Sequence, residues 1–204
     1  MTLDDAWQRV RDRLWSMADR LTHTRNRRRA VQRARRWARP ERILVVCYGN
    51  ICRSPYAAAR LQLQFDQPGL MDIRVDSAGF IGPGRPANSQ GAAIALTLGL
   101  DLGVHRSKLV NPADLARANL VLVMTRRQRE QLLSQFGVEA QRVELLGDFD
   151  IEDPPLRDID DPYGRSDAEF RRVFAQIDRS ITGLSALIAA QGASHSRVSA
   201  GPGG

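Results

Sequence analysis

Two cysteines, an arginine and a serine crowd into one short run, Cys47-Tyr48-Gly49-Asn50-Ile51-Cys52-Arg53-Ser54-Pro55. The run follows an apolar stretch, Ile43-Leu44-Val45-Val46, and precedes a helical pattern beginning at Ser54-Pro55. A strand that ends on a thiol, a loop bearing Gly49 and a helix start together predict an anion cradle. Loop amides and a helix N-terminus point inward there and favour negative charge, on a bound phosphate as on a thiolate. Arg53 adds a planar fork that can hold two phosphate oxygens. Cys-x5-Arg-Ser thus brings a nucleophile, a clamp and a hydroxyl into one turn of chain. A lone cysteine after a strand is usually a buried structural one; the spacing, Gly49 and the strand–loop–helix context favour the chemical reading.

A thiolate that attacks phosphorus needs a carboxylic acid opposite to protonate the departing oxygen. The segment 147–164 offers Asp148, Asp150, Asp153, Asp158, Asp160 and Asp161. Composition does not choose among them, and most should be solvated loop carboxylates. Asp161-Pro162-Tyr163 stands out, because proline biases the preceding residue towards extended backbone and Tyr163 can wall a substrate ring.

The elements that must position these groups alternate. Strands are expected at 43–47, 73–77, 120–124 and 142–146, with helices at 55–66, 88–99, 112–117, after Thr125 to about 136, and from the capping box Ser166-x-x-Glu169 to about Ala190. Apolar strands alternating with helices predict a three-layer α/β fold, a central four-stranded parallel sheet with helices on both faces and the phosphate-binding loop after the first strand. Ligands in such sheets bind at the carboxyl ends of the strands, beside a switch in strand order.

Residues 1–42 hold 13 Lys+Arg against 5 Asp+Glu, and the remainder 17 against 18, so the formal charge of +7 resides in the N-terminal fifth. This divides the chain into a basic, largely helical extension (1–41), a near-neutral domain (42–191) and a Gly/Ser-rich tail expected to be disordered (192–204). Residues 3–21 carry Trp7, Val10, Leu14, Met17 and Leu21 at helical steps; residues 24–39 are arginine-dense. Three readings of the extension stay open: packing on the domain or on a second copy, attachment to an anionic membrane surface, and phosphate contacts to nucleic acid, ranked last because no base-reading motif is present. No run approaches the ~20 apolar residues of a membrane span, and no signal-peptide core precedes the domain. The two cysteines form neither a disulfide framework nor a zinc pattern and suit a reducing cytoplasm, with peripheral attachment at the inner membrane face as a variant. No cofactor or metal is expected.

The loop resembles the signature of bacterial low-molecular-weight protein tyrosine phosphatases, Cys-x-Gly-Asn-x-Cys-Arg-Ser-Pro, at every defined position. Asp161-Pro162-Tyr163 resembles their general-acid motif, Asp76-Ser77-Ala78-Gly79 their second strand, and His105-Arg106-Ser107 their histidine segment. The resemblance implies that Cys47 forms a phosphocysteine and that Arg53 and the loop amides stabilise the equatorial oxygens. It implies that Ser54 donates to the Cys47 sulfur and that Asp161 serves as acid and then base. Asn50, Ser77 and His105 would brace the loop, while Tyr48, Gly49, Ile51, Cys52 and Tyr163 would line the substrate site. Cys52 would either trap an oxidised Cys47 as a disulfide or simply fill space. Two departures stand out: the loop at 80–87 is rich in Gly and Pro, with Phe80 and Ile81 its only large apolar residues, and Asn119 replaces the usual Asp. The expected substrate is a phosphotyrosine protein, with a tyrosine kinase of exopolysaccharide synthesis as one candidate. Related arginine phosphatases typically carry Thr where this chain has Ile51, and thioredoxin-coupled arsenate reductases need cysteines absent here. A phosphate reader without turnover is the remaining alternative.

Overall fold

The computed structural model describes residues 23–198 apart from 38, 68, 69, 71, 153 and 155, and from 192 onward by backbone only. The helix expected at 3–21 lies outside the described residues.

Four short strands, β1 (Arg42–Cys47), β2 (Arg74–Gly79), β3 (Leu120–Val123) and β4 (Val143–Leu145), form one parallel sheet in the order β2-β1-β3-β4. The chain leaves β1 for one neighbour and later returns to its other side, so strand order switches beside β1, with Cys47 opposite Gly79 and Val46 opposite Val123. Side chains two apart share a face, and β1 is apolar on both. Ile43, Val45 and Cys47 face a core with Tyr56, Leu61, Phe170, Phe174 and Ile177. Leu44 and Val46 face a second core with Val121, Val123, Leu115 and Leu132. The first core is covered by α2 (Arg53–Phe65), α3 (Ser89–Thr97) and α6 (Asp167–Val198), the second by α4 (Pro112–Arg117) and α5 (Arg126–Phe136). This is the three-layer arrangement that the alternating pattern predicts.

The helix that follows the cradle is pinned by one aromatic. Tyr56, buried, stacks on Phe174 with ring centroids 3.8 Å apart, and its hydroxyl donates to Asp178. Burial pushes the Tyr56 phenol up, so it stays a neutral donor.

Some boundaries moved. β2 runs to Gly79, two residues past Ser77, because its last residues pair with the start of the cradle. β4 keeps only its three central residues between 3-10 turns at Ala140–Arg142 and Leu146–Phe149. α6 continues to Val198 rather than stopping near Ala190, carrying helix past Gly192, where the tail was expected to begin.

The basic extension is not a free arm over its described part. Residues 23–34 form a helix, α1, with Ala30 and Ala34 fully buried in the first core. Trp37 meets Phe149 edge-on at 6.0 Å. Arg27 is buried and donates to the Asp150 carbonyl. Arg33 forks onto Glu144 at 2.7 and 2.6 Å, and the Glu144 side chain is only 2% exposed. Arg25, Arg28, Arg29, Arg35 and Arg36 are exposed and make no ion pair among the described residues.

Glu144 lies in a β-strand of the domain, yet its counter-charge comes from the extension. Burial raises the Glu144 carboxyl above its ordinary value, and Arg33 pulls it back. A raised value in the folded state means that stability falls as pH rises from the ordinary glutamate range through that value. Arg33 limits the loss. Arg33→Leu should therefore cost about 1–3 kcal/mol near pH 8 and much less near pH 4, where Glu144 is protonated. Urea unfolding at the two pH values measures the difference.

Candidate active site

The cradle spans the end of β1 and the first turn of α2. Its shape hangs on Asn50, which has φ of 50° and is the single non-glycine residue among those described with positive φ. Asparagine tolerates this left-handed conformation when its side chain is bonded locally. Here the Asn50 amide nitrogen donates to Ser54 Oγ and Ser77 Oγ, both at 2.9 Å, and its Oδ1 accepts from the Lys108 amide at 2.9 Å. His105 Nε2 lies 2.7 Å from the Asn50 carbonyl. Asn50, Ser77, His105 and Ser54 are thus brought together around one backbone kink.

Ser54, buried, donates to Cys47 Sγ at 3.0 Å. Cys52 is also buried, and burial above all, with Cys47 and Asp161 adding to it, pushes its thiol up to about 12. Cys52 thus holds its proton at neutral pH, and Cys47 is the cysteine that accepts the Ser54 hydroxyl.

Arg53 is 4% exposed at its side chain. Nη1 donates to the Ile159 carbonyl at 3.1 Å and Nη2 pairs with Asp161 Oδ2. Its Nε is a buried donor with no hydrogen-bond partner among the described residues. A buried orphan donor on a guanidinium calls for an acceptor, and an anion oxygen at the loop is of the kind that would meet it.

The structure separates the six aspartates. Asp148 forks onto Arg157, both contacts at 2.5 Å, Asp150 onto Arg179 at 3.0 and 3.1 Å, Asp158 pairs with Arg126, and Asp160 with Arg172 at 2.8 Å. Asp148 and Asp150 are buried, contrary to the expectation of solvated loop carboxylates, because each has an arginine to neutralise it. Asp153 is outside the described residues. Asp161 is the one that shares a cleft with Cys47 and Arg53.

That cleft has a volume of about 250 Å³. Cys47, Gly49, Cys52 and Arg53 line it with Asp161, and Tyr48, Ile51, Ile81 and Tyr163 form its walls. Tyr48 and Tyr163 are both more than half exposed, as rim residues are. Every residue expected at the site is in the cleft or in the bracing network.

Two residues were not anticipated. Arg85 lines the cleft, folded under Gly82, where a Cβ would fall 2.4 Å from Arg85 Nε. The available signal was Gly82-Pro83-Gly84-Arg85-Pro86, glycines bracketing an arginine. Gly79 is the other: a Cβ there would lie 2.7 Å from the Asn50 nitrogen and 2.9 Å from the Tyr48 oxygen, so β2 must end in glycine for the cradle to close against it. Gly79→Ala should destabilise the fold by about 1–3 kcal/mol and weaken inorganic phosphate binding. Thermal unfolding and calorimetric titration with phosphate test the two effects together. Asn119, the departure from the family pattern, accepts from the Glu41 and Arg42 amides at 3.0 and 2.8 Å, tying the start of β1 to that of β3.

Comparison with known proteins agrees with this geometry. The family model for low molecular weight phosphotyrosine protein phosphatase matches residues 42–194. The chain is 38% identical over 149 residues to low molecular weight protein-tyrosine phosphatase A of Mycobacterium tuberculosis, covering 71% of this chain and 90% of that protein. Among solved structures, the low molecular weight protein tyrosine phosphatase from T. tengcongensis has a TM-score of 0.65 at 30% identity, covering 71% of this chain and 97% of that one. The arginine phosphatase YwlE from Geobacillus stearothermophilus has a TM-score of 0.64 at 27% identity, covering 81% and 100%. A cradle of this sequence, closed in this way on a sheet of this order, places the chain in the low-molecular-weight protein-tyrosine-phosphatase family.

Proposed function

We infer that the protein hydrolyses phosphotyrosine on a protein substrate through a phosphocysteine intermediate. The observation that carries this is the meeting of Cys47, Arg53, whose buried Nε has no partner among the described residues, and Asp161 in one small cleft. An incoming phosphate takes the Arg53 fork from Asp161, and the released carboxylate takes up a proton from solvent, which readies it for the leaving group. The Cys47 thiolate attacks phosphorus, the bond from phosphorus to the aryl oxygen breaks, and Asp161 gives its proton to that oxygen. Arg53 and the loop amides hold the three equatorial oxygens as charge spreads over them. A water then attacks phosphorus, Asp161 takes its proton, and the sulfur leaves as thiolate, stabilised by the Ser54 hydroxyl. No metal or cofactor enters this scheme.

Ile51 in the wall, with Tyr48 and Tyr163 at the rim, favours an aryl group over the guanidinium of phosphoarginine. The test is hydrolysis of phosphotyrosine and phosphoarginine peptides of matched sequence. Faster turnover of phosphotyrosine is expected; preference for phosphoarginine overturns the Ile51 argument, and binding of either without turnover makes the protein a phosphate reader.

The partner class proposed is a tyrosine kinase of exopolysaccharide synthesis, met in the cytoplasm at the inner membrane face. The exposed arginines of α1 support attraction to anionic lipid. A homodimer through residues 1–40 is the competing partner, and nucleic acid is disfavoured for want of a base-reading motif. Because Ala30 and Ala34 belong to the core, deletion of α1 would confuse docking with unfolding. The triple change Arg25→Gln, Arg28→Gln, Arg29→Gln is the cleaner probe. It should weaken binding to phosphatidylserine vesicles; undiminished binding would refute attachment through α1.

A further inference from the structure

Arg85 is a cation with a purpose that neither the phosphate clamp nor the acid accounts for. Its Nε donates to the Gly82 carbonyl at 2.9 Å, and its Nη2 to the carbonyls of Gly49 and Ile81 at 2.8 and 3.1 Å. Three of the five guanidinium donors are thus spent on neutral carbonyls. Among the described residues, both N–H groups of Nη1 remain without a hydrogen bond and no carboxylate pairs with Arg85.

The surrounding backbone is arranged to hold the side chain there. Ser107 Oγ donates to the Gly82 carbonyl at 2.6 Å and accepts from the Arg85 amide at 2.9 Å, while the Ser107 amide donates to the Arg85 carbonyl at 2.8 Å. The next residue, Lys108, gives its amide to Asn50. The loop at 80–87 is tied to the cradle by the Phe80 and Ile81 amides on the Tyr48 carbonyl and by Arg85 on the Gly49 carbonyl, and Arg85 is fixed before any ligand arrives. A flexible surface arginine pays rotamer entropy for each contact it makes; a fixed one has already lost it.

Its place in the cleft limits what it can meet. The charged side chains of the lining are Arg53, Asp161 and Arg85. Arg53 is committed to phosphate and Asp161 to the leaving oxygen. Arg85 lies beside the cradle, bonded to Gly49 and to the exposed Ile81, within reach of the chain flanking a phosphotyrosine seated in the cleft. A fixed guanidinium at that position, with the N–H pair of Nη1 left open, can give a charge-assisted hydrogen bond to a carboxylate oxygen.

We propose that Arg85 is a specificity-determining residue that pairs with an acidic side chain flanking the phosphotyrosine of the substrate protein. The inference rests on the hydrolytic reading above and narrows its substrate class to acid-flanked phosphotyrosine.

The experiment compares kcat/KM for three phosphotyrosine peptides that differ only in flanking residues, one acidic, one neutral and one lysine-rich, with phenyl phosphate as the substrate without flanks. Wild type should favour the acidic over the neutral peptide by about tenfold, and the advantage should shrink with added salt. Arg85→Gln should bring the ratio close to one, Arg85→Lys should keep part of it, and Arg85→Glu should favour the lysine-rich peptide. Equal wild-type turnover of acidic and neutral peptides overturns the inference and leaves the phosphatase reading standing. The same holds if Arg85→Gln loses as much on phenyl phosphate as on the acidic peptide, since Arg85 then serves the phosphate itself. No wild-type turnover of any of the four overturns the phosphatase reading and this inference with it. The wild-type ratio and its salt dependence decide the matter even if the variants do not fold.

Discussion

Cys47→Ser is expected to lower turnover of phenyl phosphate by about 10⁴-fold or more while leaving the cradle able to bind inorganic phosphate. The reasons are local. A serine hydroxyl is far harder to ionise than a thiol and leaves phosphorus far less readily in the second step. Nothing in the cleft would replace it, because the one other thiol, Cys52, is pushed up to about 12 by burial and stays protonated at neutral pH. The parts that hold phosphate do not depend on the sulfur: Asn50 is braced by Ser77, Lys108 and His105, and Arg53 by Ile159. Steady-state kinetics and phosphate titration together test this. Retained turnover would move the nucleophile elsewhere, whereas lost phosphate affinity would mean that the sulfur shapes the cradle and not only the chemistry. A burst of phenol release from wild type, equal to one per active site, would report the phosphocysteine directly.

The cradle could be read from its sequence because nearly everything it needs lies within nine residues, Cys47 to Pro55. Local chain geometry fixes where the thiol, the amides and the helix start fall. The layer order was equally legible, since β1 and β3 are apolar on both faces and strands alternate with helices. What escaped depends on contacts distant in sequence. Asp148 and Asp150 look like loop carboxylates until Arg157 and Arg179 are seen beside them. Glu144 needs Arg33, 111 residues away, to be tolerable where it is. Gly79 looks like an ordinary strand end until the cradle backbone is found against it. Arg85 is one of many arginines in this chain, and only its fold-back under Gly82 marks it. In each case the residue type was visible and its partner was not, and it is the partner that decides between a solvated charge and a working one.

The same partner logic selects Asp161 and predicts its replacement. Asp161→Asn keeps size and shape but has no proton to give to the leaving oxygen. General acid catalysis is worth about 10²–10⁴ in rate, and the loss should depend on the leaving group. Phenyl phosphate expels a strongly basic phenolate and should slow by about 10²–10³-fold. 4-Nitrophenyl phosphate expels a stabilised phenolate that leaves without help, so its first step should suffer far less. The neighbouring Asp160 provides the comparison: its carboxylate is held by Arg172 on the surface, 2.8 Å away, and Asp160→Asn should change both rates by no more than a few-fold. A second signature comes from Arg53. In the free protein Asp161 holds its Nη2, so a phosphate that takes Nε and Nη2 together displaces the carboxylate. With asparagine, that competition loses its charge, and phosphate should bind more tightly even as turnover falls. Tighter phosphate with slower phenyl phosphate hydrolysis would identify Asp161 as both the acid and the resting ligand of the clamp. If instead Asp160→Asn produced the leaving-group-dependent loss, the acid would lie one residue earlier and the Arg172 pair would have to open during catalysis.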